Sequence, residues 1–366
     1  MSGTQGLAVE PPRDTETPRA GTPDAIRRDD LRAARNRPVL WWAGLGTAVI
    51  AFQAYVYTAW IASPNFKSTP TGANRVPETD KIFAWILQPV LVLLALTALI
   101  WVVRGCRRQG KLTLDAKLLI AGYCQLWLDP IGSLLRPEFF FNSYYVNFGS
   151  WIGQVPGGLT PNGHLLSDLP LLEAPVYGSM IFVCVGGCAL MRAIRRRRPQ
   201  TSNAALVIWT WVGLAVFLVV FEELVVLRTG AAVWLSPTSA LTIFYGTRFQ
   251  MSLIPDPFFW SIFMLAMICL RFFATDRGMP RSDSGLDEVA VPRHVKTTLS
   301  TLAVVGYVSA AMLFASSLAI GASLYSTTPR NLPSYLRDGI CGQGTRYACP
   351  NPGVPIQTAP RPSVHR

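Results

Sequence analysis

Seven long apolar stretches constrain the fold of this 366-residue chain more than any other feature. A helix needs roughly 20 such residues to cross about 30 Å of hydrocarbon. The stretches are continuous rather than alternating, and backbone groups in lipid must bond to one another, so we expect helices and not strands. They are Val39–Ala62, Ile82–Val103, Ala116–Leu135, Pro175–Met191, Ala204–Leu227, Pro257–Phe273 and Leu299–Gly321, and those that start at Ala116, Pro175 and Pro257 are the weakest.

The sequence therefore predicts an all-α integral membrane protein, a bundle of about seven transmembrane helices over residues 39–322. Its composition agrees, because 50% hydrophobic residues, 15% charged residues and a mean hydropathy of +0.31 are too apolar for a soluble globular protein. Residues 1–38 are polar and rich in Pro and Arg, which predicts a disordered basic tail. Residues 323–366 form a second predicted tail.

The positions of the basic residues predict the orientation of the chain in the cell membrane. Of the 33 Lys and Arg residues, 22 fall on segments that share the inner side if the N-terminus is cytoplasmic. This positive-inside pattern places the C-terminus outside. Arg195–Arg198 follows an apolar stretch directly, so we interpret it as a membrane anchor and not as a nucleic-acid patch. The lipid bilayer is the expected partner, nucleic acid is not, and no oligomeric state is predicted.

The cysteines give no support for a structural zinc site, because the sequence has no C-x-x-C pair and no His-rich group. Cys341 and Cys349 lie in the predicted outer tail, where disulfides are stable. A local disulfide is expected there. The alternative is two free thiols in a loose segment.

Acidic residues within or beside the apolar stretches are the catalytic candidates. An ionisable group in hydrocarbon costs roughly several kcal/mol, so it is usually retained for function. The candidates are Asp129, Glu222, Glu223 and Asp256. Glu222 and Glu223 are about 100° apart on a helix, so one of them at most can point fully into the bundle. The alternative for each acid is a structural ion pair with Arg136, Arg228 or Arg248.

The connection 129–174 is predicted to be a long aromatic-rich outer loop. It lacks a strong helical period, and long loops in compact proteins are usually functional. Its aromatic side chains could line a pocket for an apolar ligand while its amides orient that ligand, or they could form an aromatic belt at the headgroups. The substrate-binding candidates are Arg136, Glu138, Phe141, Asn142, Tyr144, Tyr145, Asn147, Trp151, Gln154 and His164, although a loop histidine beside Asn162-Gly163 is more often a turn residue.

Motifs in this loop resemble the signature region of a known family. They are Asp129-Pro130, Arg136-Pro137, the segment from Phe141 to Gly157, and Pro161-Asn-Gly-His. These segments resemble the AveC-type spirocyclases, with weaker similarity at Arg271-Phe272-Phe273, at Asp276-Arg277-Gly278 and in the Cys341/Cys349 tail, so the resemblance covers most of residues 39–352. It implies a membrane enzyme that converts a dihydroxy-ketone of a macrolide polyketide into a spiroketal. Some members also dehydrate one ring.

Carboxyl groups can supply what spiroketal closure needs. Two hydroxyls join one ketone carbon and water leaves, so a departing hydroxyl must be protonated and an oxocarbenium-like cation balanced. Burial keeps one carboxyl protonated, and a neighbour that stays ionised balances the cation. We predict Asp129 and one of Glu222 and Glu223 as the acid–base pair, with no cofactor and no metal. The competing prediction is a membrane carrier or channel whose acids bind protons or cations.

Overall fold

The computed structural model describes residues 37–253, 255–274, 279–337 and 339–356. Nearly all of the predicted N-terminal tail, the Asp276-Arg277-Gly278 motif and residues 357–366 lie outside this part of the chain.

The described residues form a mainly helical fold. The α-helices are α1 (Pro38–Ile61), α2 (Glu78–Gln109), α3 (Leu114–Tyr123), α4 (Glu173–Arg197), α5 (Asn203–Phe221), α6 (Ser261–Phe272) and α7 (Arg293–Ser323). Among them α1, α2, α4, α7, and α5 extended to Leu227 are five helices long and apolar enough to cross a membrane. The prediction of an apolar helical protein is confirmed at this level.

The prediction of seven transmembrane helices is not confirmed, because two of the apolar stretches form short or broken helices. The stretch Ala116–Leu135 forms the ten-residue α3, followed by a 3₁₀ helix over Leu126–Ser133. Pro130 lacks an N–H group and disfavours α-helix in the residue before it, which accounts for the irregular backbone at Asp129. The stretch Pro257–Phe273 forms a π-helical turn over Pro255–Trp260 and then the twelve-residue α6.

Helices α1 and α7 pack closely through glycines. A Cβ atom at Gly46 would collide with the carbonyl oxygen of Leu302, and one at Gly306 would collide with the carbonyl oxygen of Trp42. Small residues that let two backbones approach are typical of helix contacts in membranes, where van der Waals packing replaces the hydrophobic effect.

The predicted aromatic loop is folded into the protein and paired with the chain after α5. Strand β1 (Phe139–Phe141) pairs antiparallel with β2 (Ala232–Trp234), with Phe139 opposite Trp234. A second short pair joins β3 (Thr242–Ile243) to β4 (Met251–Ser252). The side chains of Phe139, Phe140 and Phe141 are buried, so this ribbon contributes to the core.

The C-terminal segment packs on this ribbon through Arg136. Its guanidinium donates to the carbonyl oxygens of Leu324 (3.2 Å), Asn351 (2.9 Å) and Val354 (3.1 Å). Cys341 and Cys349 of the same segment are joined by a disulfide. These hydrogen bonds give the Arg136 guanidinium a structural role, and the binding of substrate by Arg136 stays a prediction.

Candidate active site

A cavity of about 90 Å³ lies where α4 and α5 meet the Asp129 segment and the β1–β2 ribbon. Three carboxyl groups line it, those of Asp129, Glu173 and Glu222. The rest of its wall is apolar and largely aromatic, and the aromatic residues are Phe139, Phe141, Tyr177, Phe221, Trp234 and Trp260. We refer to this space as the carboxyl cavity. Its lining combines acidic groups with surfaces that exclude water.

Asp129 enters the carboxyl cavity from the 3₁₀ helix Leu126–Ser133. The Tyr177 hydroxyl, on α4, donates a hydrogen bond of 2.8 Å to Asp129 Oδ1. Tyr177 also lines the cavity, and its ring stacks on Phe263 with 6.1 Å between the ring centroids. A hydroxyl donor fixed by packing holds the Asp129 carboxyl in one orientation.

Glu222 and Glu223 have different environments at the end of α5. The helix changes there into a π-helical turn, Glu222–Leu227. Glu222 lines the carboxyl cavity, and its Oε2 is buried with no hydrogen-bond partner among the described residues. Glu223 instead forms an ion pair with Arg228, with 2.6 Å between Glu223 Oε1 and the guanidinium. For Glu223, the structure therefore has the structural ion pair that was the alternative to a catalytic role. π-Turns of this kind occur frequently at functional sites.

Asp256 lies in the backbone of the second π-helical turn, Pro255–Trp260, but its side chain lies outside the described part of the chain. Trp260, at the end of the same turn, lines the carboxyl cavity. The catalytic role assigned to Asp256 therefore stays a prediction.

Glu138 is a buried carboxyl beside the cavity. It directly precedes β1, and neither carboxylate oxygen has a hydrogen-bond partner among the described residues. Its side chain packs on the backbone of Gly132, where an added Cβ would collide with Glu138 Oε2. Burial, and after it the nearby charge of Asp129, raises the pKa of Glu138 to about 8. At neutral pH the protonated form of Glu138 therefore predominates.

The sequence analysis missed two buried carboxyls, Asp168 and Glu173. Glu173 begins α4, and its Oε1 accepts a hydrogen bond from the Leu169 backbone N–H (2.6 Å). Burial raises the pKa of Asp168 well above its ordinary value, and neither of its carboxylate oxygens has a hydrogen-bond partner among the described residues. The signal was their place in an otherwise apolar run before Pro175. An acidic residue at the start of a helix is ordinarily explained by its favourable interaction with the helix dipole. For that reason neither residue stands out as a catalytic candidate in the sequence.

Four of the loop residues predicted to bind substrate have polar groups engaged by the protein itself. Asn142 Nδ2 donates to the Gly230 carbonyl (2.9 Å), and Tyr145 Oη donates to the Thr229 carbonyl (3.3 Å). Asn147 Oδ1 accepts from the Thr69 N–H (2.8 Å), and Trp151 Nε1 donates to the Trp127 carbonyl (2.9 Å). These bonds position the loop. Contact of these residues with substrate stays a prediction.

The remaining loop candidates divide between the cavity and the loop surface. Phe141 lines the carboxyl cavity. Tyr144, Gln154 and His164 are half-buried and are not part of its lining. His164 lies in the 3₁₀ turn Gly163–Leu165, and burial, followed by the charge of Lys67, lowers its pKa. This environment is that of a turn residue.

No group of three or more His, Cys, Asp and Glu side chains within the described ranges is arranged to hold a metal ion. What the carboxyl cavity offers is proton donors and acceptors in an aromatic enclosure. Such an arrangement can protonate a leaving group and balance a short-lived cation.

Comparison with known proteins gave one match. A family model described as Spirocyclase AveC-like matches residues 107–337, a range that contains Asp129, Glu138, Glu173 and Glu222. Searches of curated proteins and of solved structures gave no match.

Proposed function

The chain belongs to the AveC-like spirocyclase family, and on that basis we propose that it closes a dihydroxy-ketone of a macrolide polyketide into a spiroketal within the carboxyl cavity. The observation that carries the proposal is the meeting of Asp129 and Glu222 in one aromatic-walled space. Asp129 and Glu222 are the proposed pair, and Glu173 is a further candidate, because it lines the same space and its Oε2 is buried with no hydrogen-bond partner among the described residues.

In the proposed reaction, one carboxyl donates a proton and the other accepts one. The first substrate hydroxyl adds to the ketone and gives a hemiketal. One carboxyl of the pair, in its protonated form, then donates its proton to the hemiketal hydroxyl, the carbon–oxygen bond breaks, and water departs to leave an oxocarbenium ion. The second substrate hydroxyl attacks this carbon and loses its proton to the other carboxyl, which is ionised. Return of that proton to the first carboxyl completes the cycle, and one water is released per spiroketal.

The walls of the carboxyl cavity support the cationic step. The oxocarbenium ion is attracted by the ionised carboxyl of the pair and by aromatic faces such as those of Trp234 and Trp260, which interact favourably with cations. Water would capture the same cation and reverse the reaction. A space lined mainly by apolar side chains limits the return of water.

Incubating the purified protein with a macrocyclic dihydroxy-ketone tests the proposed activity. We expect loss of one water per molecule and a spiroketal of a single configuration, because the cavity fixes the face that the second hydroxyl attacks. Mass spectrometry and chiral chromatography at neutral pH measure both. A product mixture and a rate identical to those in buffer would refute the proposal.

We further propose that the chain crosses the membrane seven times, with two of the crossings made by the broken helices, and that the N-terminus is inside. Contacts within the protein support this topology. Two segments predicted to be outer meet where the Lys67 N–H bonds to the Phe148 carbonyl (3.2 Å). Two segments predicted to be inner meet in the ion pair between Arg271 and Asp115 (2.7 Å). The α3–3₁₀ unit joins an inner segment to an outer one.

Reporter fusions test this topology. Alkaline phosphatase, which folds only outside the cytoplasm, should be active when fused after Gly321 at the end of α7. The matched fusion after Gly285, in the linker between α6 and α7, should be silent because that linker is predicted to be inner. A silent Gly321 fusion with an active Gly285 fusion would reverse the topology.

A further inference from the structure

A second and larger cavity, of about 560 Å³, lies between α2, α4 and α5. It is open on one side, where Leu94, Leu190 and Phe217 are exposed on the apolar surface of candidate membrane helices. We call this space the side groove.

The side groove adjoins the carboxyl cavity. The same side chains line both spaces, and they are Val176, Met180, Leu218, Phe221 and Met264. A ligand in the groove is therefore separated from Asp129 and Glu222 by a single layer of flexible apolar side chains.

The volumes of the two spaces indicate that each would hold a different part of a ligand. The carboxyl cavity of about 90 Å³ has room for a ketone carbon and its neighbouring oxygens but not for a macrocycle. Sites for ligands of drug size have volumes of about 300–1,000 Å³. The side groove, at about 560 Å³, lies within that range.

The lining of the side groove selects for an apolar occupant. None of its lining side chains is charged, and its hydroxyl groups are those of Ser179 and Thr210. Ser179 Oγ donates to the Val176 carbonyl (2.9 Å) and Thr210 Oγ1 donates to the Leu206 carbonyl (2.8 Å). With these protons used by the helix backbones, the groove presents a surface suited to hydrocarbon.

We propose that the side groove binds the apolar macrocycle of the substrate, which enters from the bilayer, while its dihydroxy-ketone segment alone reaches Asp129 and Glu222. This inference rests on the proposed function for the identity of the ligand. It assigns recognition of the macrocycle to apolar contact in the groove and the chemistry to the carboxyl cavity.

Two glycines keep the side groove open. A Cβ atom at Gly186 on α4 would have no atom within 4 Å, and one at Gly213 on α5 would meet Leu190 Cδ2 alone, at 3.4 Å. A large side chain at either position therefore has room in the protein, but it occupies space needed by a ligand. Replacing a mid-helix glycine also removes a residue that disfavours helix, so these variants should fold.

The test compares Gly186→Phe with Gly44→Phe. Gly44 is the matched control because it lies in α1, an added Cβ there also meets nothing within 4 Å, and it does not line the groove. In protein reconstituted in nanodiscs, we expect Gly186→Phe to raise the Kd for a radiolabelled macrocyclic dihydroxy-ketone by about tenfold or more, since excluding two methylenes already costs that much. We expect no change for Gly44→Phe. The preference in kcat/KM for the macrocyclic over a truncated dihydroxy-ketone should fall by a similar factor.

The outcomes separate this inference from the proposed function. Loss of macrocycle binding in Gly186→Phe, with no spiroketal formed by any protein, would support the groove and refute the activity. Unchanged affinity and preference in a folded Gly186→Phe, with wild-type turnover intact, would overturn the inference and leave the groove as a place for lipid acyl chains. Gly213→Leu, which enters the groove from α5, gives the same two readouts if Gly186→Phe does not fold.

Discussion

The Asp129→Asn variant is expected to close the spiroketal about 10²–10⁴ times more slowly than the unchanged protein, the range for loss of general acid–base help. Asparagine keeps the shape of the side chain, and its Oδ1 can still accept the Tyr177 hydrogen bond, so the fold should persist. What is lost is a carboxyl that can give or take a proton during closure. Initial rates at neutral pH measure the effect, and chiral chromatography identifies product that closes spontaneously.

Asp287→Asn is the matched control for this substitution. Asp287 is an exposed residue that does not line the carboxyl cavity, so the same chemical change should leave the rate unaltered. Normal rate and normal configuration in Asp129→Asn would refute the carboxyl mechanism. A cavity that acts by holding the reacting groups together would then be the better account.

Glu222→Gln is expected to reduce the rate by about 10² or more, because the glutamine amide can neither give nor take a proton in the reaction. The adjacent Glu223→Gln should change the rate by less than about threefold, because Glu223 does not line the carboxyl cavity and is paired with Arg228. The two variants differ by one position in the chain and carry the same substitution. Rate measurements on both therefore test the position of the carboxyl in the fold.

Thermal unfolding of both glutamine variants distinguishes loss of chemistry from loss of fold. A Glu222→Gln protein with normal Tm and low rate matches the proposed role. A larger rate loss in Glu223→Gln than in Glu222→Gln would contradict the assignment of Glu222 to the cavity.

The long helices could be predicted from the sequence because crossing hydrocarbon demands an unbroken apolar run, and run length is a local property. The stretch that starts at Ala116 is a case in which apolar composition does not predict the backbone conformation. Its composition is that of a span, but Pro130 and the packing around Asp129 turn its second half into a 3₁₀ helix. A short apolar run can form an α-helix or a 3₁₀ helix, and the choice depends on the residues that pack against it. The composition of the run does not identify those residues.

The sequence predicts the chemistry of the candidate site, but it does not predict which residues line it. An acid in an apolar run is conspicuous, which drew attention to Asp129 and Glu222. Helical geometry allows one inward residue of the pair Glu222 and Glu223 without saying which, and the π-helical turn that begins at Glu222 has no simple sequence signal. The sequence around Arg136 gives no sign of its carbonyl partners, because they lie far along the chain.

The three carbonyl partners of Arg136 also bear on the order of assembly. They lie between 188 and 218 residues further along the chain, so at every stage of synthesis before they emerge this guanidinium must be satisfied by water. Burying it earlier would leave a charge without partners, at a cost of several kcal/mol, about the size of a typical protein's whole stability margin. Residues 136–141, which form one wall of the site, are therefore expected to reach their final positions only after α7 has packed. Before that step, newly inserted protein should have an open, hydrated site without catalytic activity.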